Sequence, residues 1–113
     1  MYVNGNLTQG ENVADAGGVK LAMNAYLAHT NERPDAPSPV PGFTNLQLYF
    51  LGFGQTWCSN YSDNYLINLV KTNPHSPHKF RVIGALQNTP EFAKAYNCPV
   101  GSYMRPAEPC EVW

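Results

Sequence analysis

The sequence predicts a mainly α-helical fold in which three to four helices are joined by long, proline-rich connections. Three segments carry apolar side chains at helical spacing, and a fourth begins with a strong helix-start signal. Ten prolines and nine glycines among 113 residues indicate irregular connections between the helices. The length is that of one domain with a modest core.

The first helix is expected to start at Thr8 and to continue to about His29. Thr8 followed by Glu11 fits a capping box. At about 100° per residue, Glu11 and Asp15 share the small, apolar face of this helix. An unpaired carboxylate is costly on a face that packs, so we expect a positively charged group to meet the two acids.

Gly17 and Gly18 lie inside the same helix and cost about 1 kcal/mol each relative to alanine. As compensation, we expect another helix or backbone to approach closely there.

Residues 31–42 contain four prolines and predict an extended connection. The second helix is expected over residues 45–58, where apolar residues occupy nearly all sides, a pattern typical of a buried helix.

Ser62 or Asp63 can cap the third helix, in which apolar residues line one side. Residues 80–86, which follow two prolines, are expected to be extended or irregular. Thr89 and Pro90 predict the start of a short last helix, with the threonine as cap and the proline at the first helical position. The tail after residue 98 is expected to be mostly coil.

The charge balance argues against some classes of partner. A formal net charge of −1 gives no electrostatic reason to expect binding to nucleic acid or to an anionic membrane. Only 13% of the residues are charged, against about 25% in a typical soluble domain, so we expect some faces to pack against other protein. No stretch reaches the ~20 apolar residues of a membrane span, and no signal-peptide pattern follows Met1.

The three cysteines, Cys58, Cys98 and Cys110, leave at least one thiol without a partner in the chain. They fit either reduced cysteines in a cytosolic protein or an oxidising compartment. Two glycosylation sequons, at Asn6 and Asn60, have meaning only in the secretory pathway and favour the second alternative. Asn60 is the better candidate, because a glycan on Asn6 would crowd the two acids of the first helix.

Several separate motifs occur in one order along nearly the whole chain. The first reads Glu11-Asn12-x-x-Asp15-x-Gly17-Gly18. The others are Phe50-x-x-Phe53-x-Gln55-x-Trp57-Cys58, His75-Ser76-Pro77, Phe80-Arg81-x-x-Gly84, Leu86-Gln87-Asn88, Ser102-Tyr103-Met104 and Cys110-x-x-Trp113. In these motifs the chain resembles the neprilysin and endothelin-converting-enzyme family of zinc metallopeptidases.

The resemblance implies roles for four residues. Glu11 matches the third zinc ligand, and Asp15 matches the carboxylate that orients a metal-binding histidine. His75 matches the histidine that stabilises the oxyanion formed when water attacks the peptide carbonyl. Arg81 matches the arginine that hydrogen-bonds a backbone carbonyl of the substrate.

The same residues also have ordinary structural explanations, which the pattern leaves open. Glu11 can simply complete the capping box. A histidine between two prolines, such as His75, is typical of a surface turn. His78 is expected to be solvated, and His29 can act as a favourable cation at the end of a helix.

The family's zinc-binding motif, His-Glu-x-x-His, does not occur in this chain. One carboxylate cannot supply the three protein ligands of a catalytic zinc, so we expect the chain alone neither to bind zinc tightly nor to hydrolyse peptides. The resemblance also implies disulfides from Cys58, Cys98 and Cys110 to upstream cysteines. Residues 1–113 are therefore interpreted as the C-terminal part of a neprilysin-like peptidase domain of the gluzincin type, lacking the zinc-binding helix.

Two functions from different classes follow. The first is a segment of a zinc-dependent metalloendopeptidase, with peptides as substrates, one zinc in the complete enzyme and the missing N-terminal part as its partner. It is expected in the secretory pathway, as an extracellular protein or a cell-surface ectodomain. The second is a non-catalytic neprilysin-like binding or decoy module. The combination of Glu11, Asp15, His75 and Arg81 favours the first, because a module without zinc has no evident use for all four.

Overall fold

In the computed structural model, which describes residues 2–112, five α-helices follow one another along the chain. They are α1 (Gly5–Glu32), α2 (Asn45–Thr56), α3 (Asp63–Thr72), α4 (His78–Gln87) and α5 (Pro90–Ala95). The described residues contain no strand, and the tail shows an isolated antiparallel bridge between Ser102 and Arg105. The mainly α-helical class is confirmed. Trp113, the last residue of the C-terminal motif, lies outside the described residues.

The first helix begins one turn before the expected cap. Asn4 is the N-cap residue, and its side-chain oxygen accepts hydrogen bonds from the backbone N–H groups of Asn6 and Leu7 at 3.1 and 3.4 Å. Thr8 lies inside the helix, where its hydroxyl donates to the Asn4 carbonyl at 3.2 Å. The capping box of Thr8 and Glu11 is therefore wrong, because the earlier asparagine already satisfies the first amide groups.

Local capping signals set the start of the next two helices. Thr44 and Gln47 form a reciprocal capping box at the start of α2. Ser62, rather than Asp63, is the N-cap residue of α3. The second helix ends at Thr56, two residues before its expected end.

Residues 80–86 belong to helix α4, so the expectation of an extended or irregular segment is wrong. Pro77 is the N-cap residue of this helix, and its carbonyl accepts from the backbone N–H groups of Phe80 and Arg81 at 2.8 and 3.2 Å. Ala85 and Leu86 are buried in the core on the inner side of the helix. Tertiary packing of this apolar side overrides the weak local preference.

The apolar core lies where α1, α2 and α4 meet, and α5 covers it. Its buried members are Val19, Met23, Phe50, Ala85 and Leu86. The ring of Phe50 meets that of Phe92 edge to face, with 5.2 Å between the centroids. This core holds α1 against α4 and so fixes the relative position of the two helices that carry the candidate site.

Gly18 lies on the side of α1 that faces away from this core. A Cβ atom built on Gly18 would meet no other atom within 4 Å. The expected close approach of another helix or backbone is therefore wrong for Gly18 among residues 2–112. The neighbouring Val19, by contrast, points into the core, so the helix uses its bulkier residues for packing.

Among the described residues, no helix combines the length and the apolar character that crossing a membrane requires.

Candidate functional site

The structure brings together the four residues that the resemblance singles out. Glu11 and Asp15 lie one turn apart on α1, His75 lies in the loop between α3 and α4, and Arg81 lies in the first turn of α4. Oε2 of Glu11 is 3.0 Å from Nε2 of His75. Asp15 accepts two hydrogen bonds from Arg81. Basic side chains thus meet both acids, as predicted.

The Asp15–Arg81 pair is the more enclosed of the two, with side chains 12% and 14% exposed. Nε and Nη2 of Arg81 donate to the two carboxylate oxygens at 2.7 and 2.6 Å. The guanidinium carbon also lies 3.9 Å from the ring centroid of Trp57, in a cation–π contact. Hydrogen bonding to Asp15 raises the pKa of Arg81 above its ordinary value, against the opposing effect of burial. Arg81 is therefore held as a cation from two sides.

The Glu11–His75 pair is more open, with side chains 41% and 43% exposed. Oδ1 of Asn73 accepts from the backbone N–H of His75 at 2.8 Å and lies 3.0 Å from its Nδ1. Because an amide oxygen only accepts, the Nδ1 atom of His75 carries a proton and donates it to Asn73. The Nε2 atom is thereby directed at the Glu11 carboxylate.

A second set of hydrogen bonds ties the His75 loop to α1. The hydroxyl of Ser76 donates to Oδ1 of Asn12 at 2.8 Å, and Nδ2 of Asn12 donates to the hydroxyl of Thr8 at 3.1 Å. Sequence reasoning assigned no role to Asn12. Its position beside Glu11 in the first motif, on the α1 turn that the loop faces, is the signal that could have found it.

Sequence reasoning also missed the parts played by Asn73 and Trp57. Asn73 lies two residues before His75, the spacing at which an asparagine side chain often bonds backbone within a turn. Trp57 was recognised only as part of a motif, and its ring contact with Arg81 joins residues 24 positions apart. No local pattern in the sequence predicts such a contact.

His78 is half-buried instead of fully solvated, so that expectation is only partly met. Its ring packs edge to face against Trp57 and Tyr61, with centroid distances of 5.2 and 5.3 Å. Its Nδ1 atom is 2.8 Å from the hydroxyl of Ser59. The first turn of α4 thus places this ring against the end of α2 and the α2–α3 loop. His29 lies exposed in the last turn of α1, where a cation is favourable.

The Asp15–Arg81 pair forms part of the wall of a cleft of about 860 Å³. The cleft lies between the N-terminal half of α1, helices α3 and α4, and the C-terminal tail. Its apolar walls include Leu66, Val70 and Ile83. A few polar groups in a mainly apolar cleft are typical of a ligand site or of a surface that another part of a protein covers.

The described residues hold no group of three histidine, cysteine, aspartate or glutamate side chains that could bind a metal ion. Both oxygens of Asp15 are engaged by Arg81, whereas the carboxylate of Glu11 is partly exposed. Carboxylate oxygen is an ordinary zinc ligand. The donor set therefore fits one ligand of a zinc site, supplied by Glu11.

The predicted disulfide and glycan sites stay predictions. Cys58, Cys98 and Cys110 are free thiols, of which the first and last are exposed. Asn60 is exposed in the loop between α2 and α3. Asn6 is exposed in the first turn of α1.

Comparison with known proteins gives matches along nearly the whole chain. The sequence model of peptidase family M13 matches residues 1–112. The chain is 47% identical over 113 residues to an endothelin-converting enzyme homolog of Locusta migratoria, covering 99% of this chain and 16% of that protein. It is 48% identical over 112 residues to endothelin-converting enzyme 1 of Homo sapiens, covering 98% and 14%. Neprilysin of Oryctolagus cuniculus is 44% identical over 114 residues, with 99% and 15% covered. The chain thus spans 14–16% of the length of these relatives.

Solved structures show the same helical arrangement. The zinc metalloprotease Zmp1 of Mycobacterium tuberculosis, in its open state, superposes with a TM-score of 0.87 at 29% identity, over 99% of this chain and 17% of that one. The Haemonchus galactose-containing glycoprotein complex superposes with a TM-score of 0.85 at 38% identity, over 92% and 18%. With the matched motifs and this shared fold, the chain belongs to peptidase family M13.

Proposed function

We propose that residues 1–113 are the C-terminal part of a zinc-dependent metalloendopeptidase domain, and that they contribute one zinc ligand together with substrate-binding and transition-state-stabilising residues. The observation that supports this most is the 3.0 Å contact between Glu11 and His75, beside the Asp15–Arg81 pair. A metal ligand and a proton donor placed side by side are what hydrolysis by metal-activated water requires.

Glu11 is the proposed zinc ligand in this segment. With further ligands from elsewhere in the protein, Glu11 would hold a zinc ion, and that ion would supply Lewis-acid chemistry for activating water and the peptide carbonyl. The carboxylate of Glu11 lies on a long helix that the apolar core holds in place. A ligand on such a rigid element keeps its direction, which a catalytic centre needs.

His75 is the proposed oxyanion donor. The contact between Nδ1 and Asn73 directs Nε2 towards Glu11, which places this ring nitrogen next to the proposed zinc ligand. Donors that are already oriented stabilise the charge that develops on the carbonyl oxygen without reorganisation.

Arg81 is the proposed substrate-binding residue, and Asp15 positions it. A guanidinium has five N–H groups, and Asp15 accepts from two of them. The remaining N–H groups are available to a backbone carbonyl of a peptide in the adjoining cleft. Asp15 is also proposed to orient a metal-binding histidine from outside these residues, since each carboxylate oxygen accepts a second hydrogen bond.

We further propose that the protein carrying this segment acts on peptides in the secretory pathway, outside the cell or at its surface. Two glycosylation sequons and an odd number of cysteines support this compartment. Disulfides from the three cysteines to upstream partners, and a glycan on Asn60, belong to the same proposal.

The test uses the protein that carries this segment together with its other zinc ligands. Glu11→Gln should lower zinc affinity by more than the about 10- to 100-fold that loss of an outer hydrogen-bond partner costs. His75→Gln should lower kcat by about 100-fold or more with zinc retained. Arg81→Ala should mainly raise KM. Zinc content and steady-state peptide hydrolysis measure all three, and Glu111→Gln, at an exposed glutamate, is the matched control.

Equal zinc loss in Glu11→Gln and Arg81→Ala would contradict this division of roles. Full peptidase activity and full zinc content in Glu11→Gln would overturn the assignment of Glu11 as a zinc ligand. Absence of both zinc and peptidase activity in the unaltered protein would favour the binding or decoy module instead. The 113-residue chain by itself is expected to retain no stoichiometric zinc after dialysis. One zinc per chain in that preparation would overturn the assignment of Glu11 as a lone ligand.

A further inference from the structure

Two links run side by side between α1 and the loop before α4. Glu11 meets His75 at 3.0 Å, and the next residue on each side forms the second link, in which the Ser76 hydroxyl donates to Asn12 at 2.8 Å. The two links therefore join neighbouring residues on one helix to neighbouring residues in one loop.

The two links differ in burial and in charge. The Glu11–His75 contact is partly exposed and joins two ionisable side chains. Ser76 is 4% exposed, and its bond to Asn12 is neutral. A buried hydroxyl that loses its acceptor costs free energy, whereas a partly exposed ion pair is screened by water.

The second link is also anchored at its far end. Asn12 donates to the hydroxyl of Thr8, which is 2% exposed, and Thr8 donates to the carbonyl of Asn4. Donors and acceptors therefore follow in one direction from Ser76 to Asn4. Hydrogen bonds in such a chain polarise and strengthen one another.

We propose that Asn12 and Ser76 are positioning residues that hold His75 at its place beside Glu11. The proline rings of Pro74 and Pro77 restrict the backbone on both sides of His75, and the bond from Ser76 to Asn12 attaches this restricted loop to α1. The inference rests on the proposed function only for the catalytic consequence of the position of His75.

The first test measures position directly, in the 113-residue chain labelled with ¹⁵N and ¹³C at histidine. Asn12→Ala and Ser76→Ala should each shift the ring resonances of His75, and the double variant should shift them no further than either single change. The resonances of His29, at the other end of α1, should stay unchanged. Gln47→Ala is the matched control, because it removes a hydrogen bond of similar length, 2.9 Å to the Ala95 carbonyl, far from this loop.

Unchanged His75 resonances in folded Asn12→Ala and Ser76→Ala, with helical circular dichroism intact, would overturn the inference. So would an equal shift in Gln47→Ala, because the effect would then be a general loss of stability.

The second test uses the peptidase that carries this segment. Ser76→Ala should lower kcat by about 10-fold, with KM within about twofold and zinc content unchanged, because the oxyanion donor is displaced and the ligand is not. Loss of zinc or an effect on KM alone would contradict it. If the proposed function fails, His75→Gln leaves kcat intact while Ser76→Ala still shifts the His75 resonances. If the inference fails, His75→Gln still lowers kcat while Ser76→Ala leaves the His75 resonances unchanged.

Discussion

The two halves of α1 interact with the rest of the chain in different ways. The N-terminal half makes polar contacts through Glu11, Asn12 and Asp15 to the His75 loop and to α4. The C-terminal half places Val19 and Met23 in the apolar core. The two halves of this one helix therefore have different roles. The apolar half supplies stability and fixes the helix, whereas the polar half sets the geometry of the candidate site.

The largest expected effect is in the apolar half. Met23 is 1% exposed, and Met23→Ala should lower the free energy of unfolding by about 2–5 kcal/mol through lost burial and the cavity left behind. Leu21→Ala, at a side chain 73% exposed on the same helix, is the matched control and should change it by less than about 0.5 kcal/mol. Urea denaturation followed by circular dichroism measures both. Similar losses in the two variants would mean that burial of Met23 in the core is not what gives this half its stability.

A smaller loss is expected where the polar half is enclosed. Arg81→Met leaves the Asp15 carboxylate buried without its partner and should cost about 3 kcal/mol in urea denaturation. The double change Asp15→Leu with Arg81→Met should recover much of this loss, because an enclosed ion pair is often replaced by apolar side chains at little cost. Arg105→Met, at an exposed arginine, serves as control. A double variant less stable than Arg81→Met alone would contradict the expectation.

The open end of the polar half should contribute least to stability. Glu11→Gln is expected to change the free energy of unfolding of the chain by less than about 1 kcal/mol, since half-exposed ion pairs contribute little. The exposed pair of Lys20 and Glu111, 3.1 Å apart, offers a comparison through Glu111→Gln. A loss in Glu11→Gln as large as that in Arg81→Met would show that the Glu11 contact serves stability instead of chemistry.

A pH effect is expected in the apolar half. Burial, the hydrogen bond to Asp35 and the charge of Asp35 raise the pKa of Tyr26 from 10.0 to about 12. The folded state thus holds the phenolic proton more tightly, and the resulting stability is fully present below pH 10 and is lost as the pH rises through 12. The difference in unfolding free energy between the wild type and Tyr26→Phe should be constant below pH 9 and should fall between pH 10 and pH 12. A difference in unfolding free energy that stays constant between pH 10 and pH 12 would contradict this expectation.

The starts of α2, α3 and α5 could be predicted because each depends on residues within one turn. Thr44, Ser62 and the Thr89-Pro90 pair lie at the expected junctions. The start of α1 was placed one turn too late, because Asn4 and Thr8 are both acceptable caps and local chemistry does not choose between them. Helix α4 was missed because its apolar side has a partner only in the tertiary structure.

For the candidate site, too, one part could be predicted from the sequence and another part depends on the tertiary structure. The helical period places Glu11 and Asp15 on one face and requires a basic partner for each, which can be derived from the sequence alone. The resemblance to a known family identified His75 and Arg81 as functional residues. Their pairing, Glu11 with His75 and Asp15 with Arg81, depends on where α4 and its preceding loop lie against α1.

The sequence by itself determined the helical class, the starts of three helices, the shared face of the two acids and the family motifs. These depend on spacing along the chain, where covalent geometry sets the distances. Only the tertiary structure decided that α4 is a helix, that Arg81 lies between Asp15 and Trp57, and that Ser76 is tied to Asn12. Contacts between residues 24 to 66 positions apart form when burial of the apolar core brings the helices together, and no local spacing encodes them.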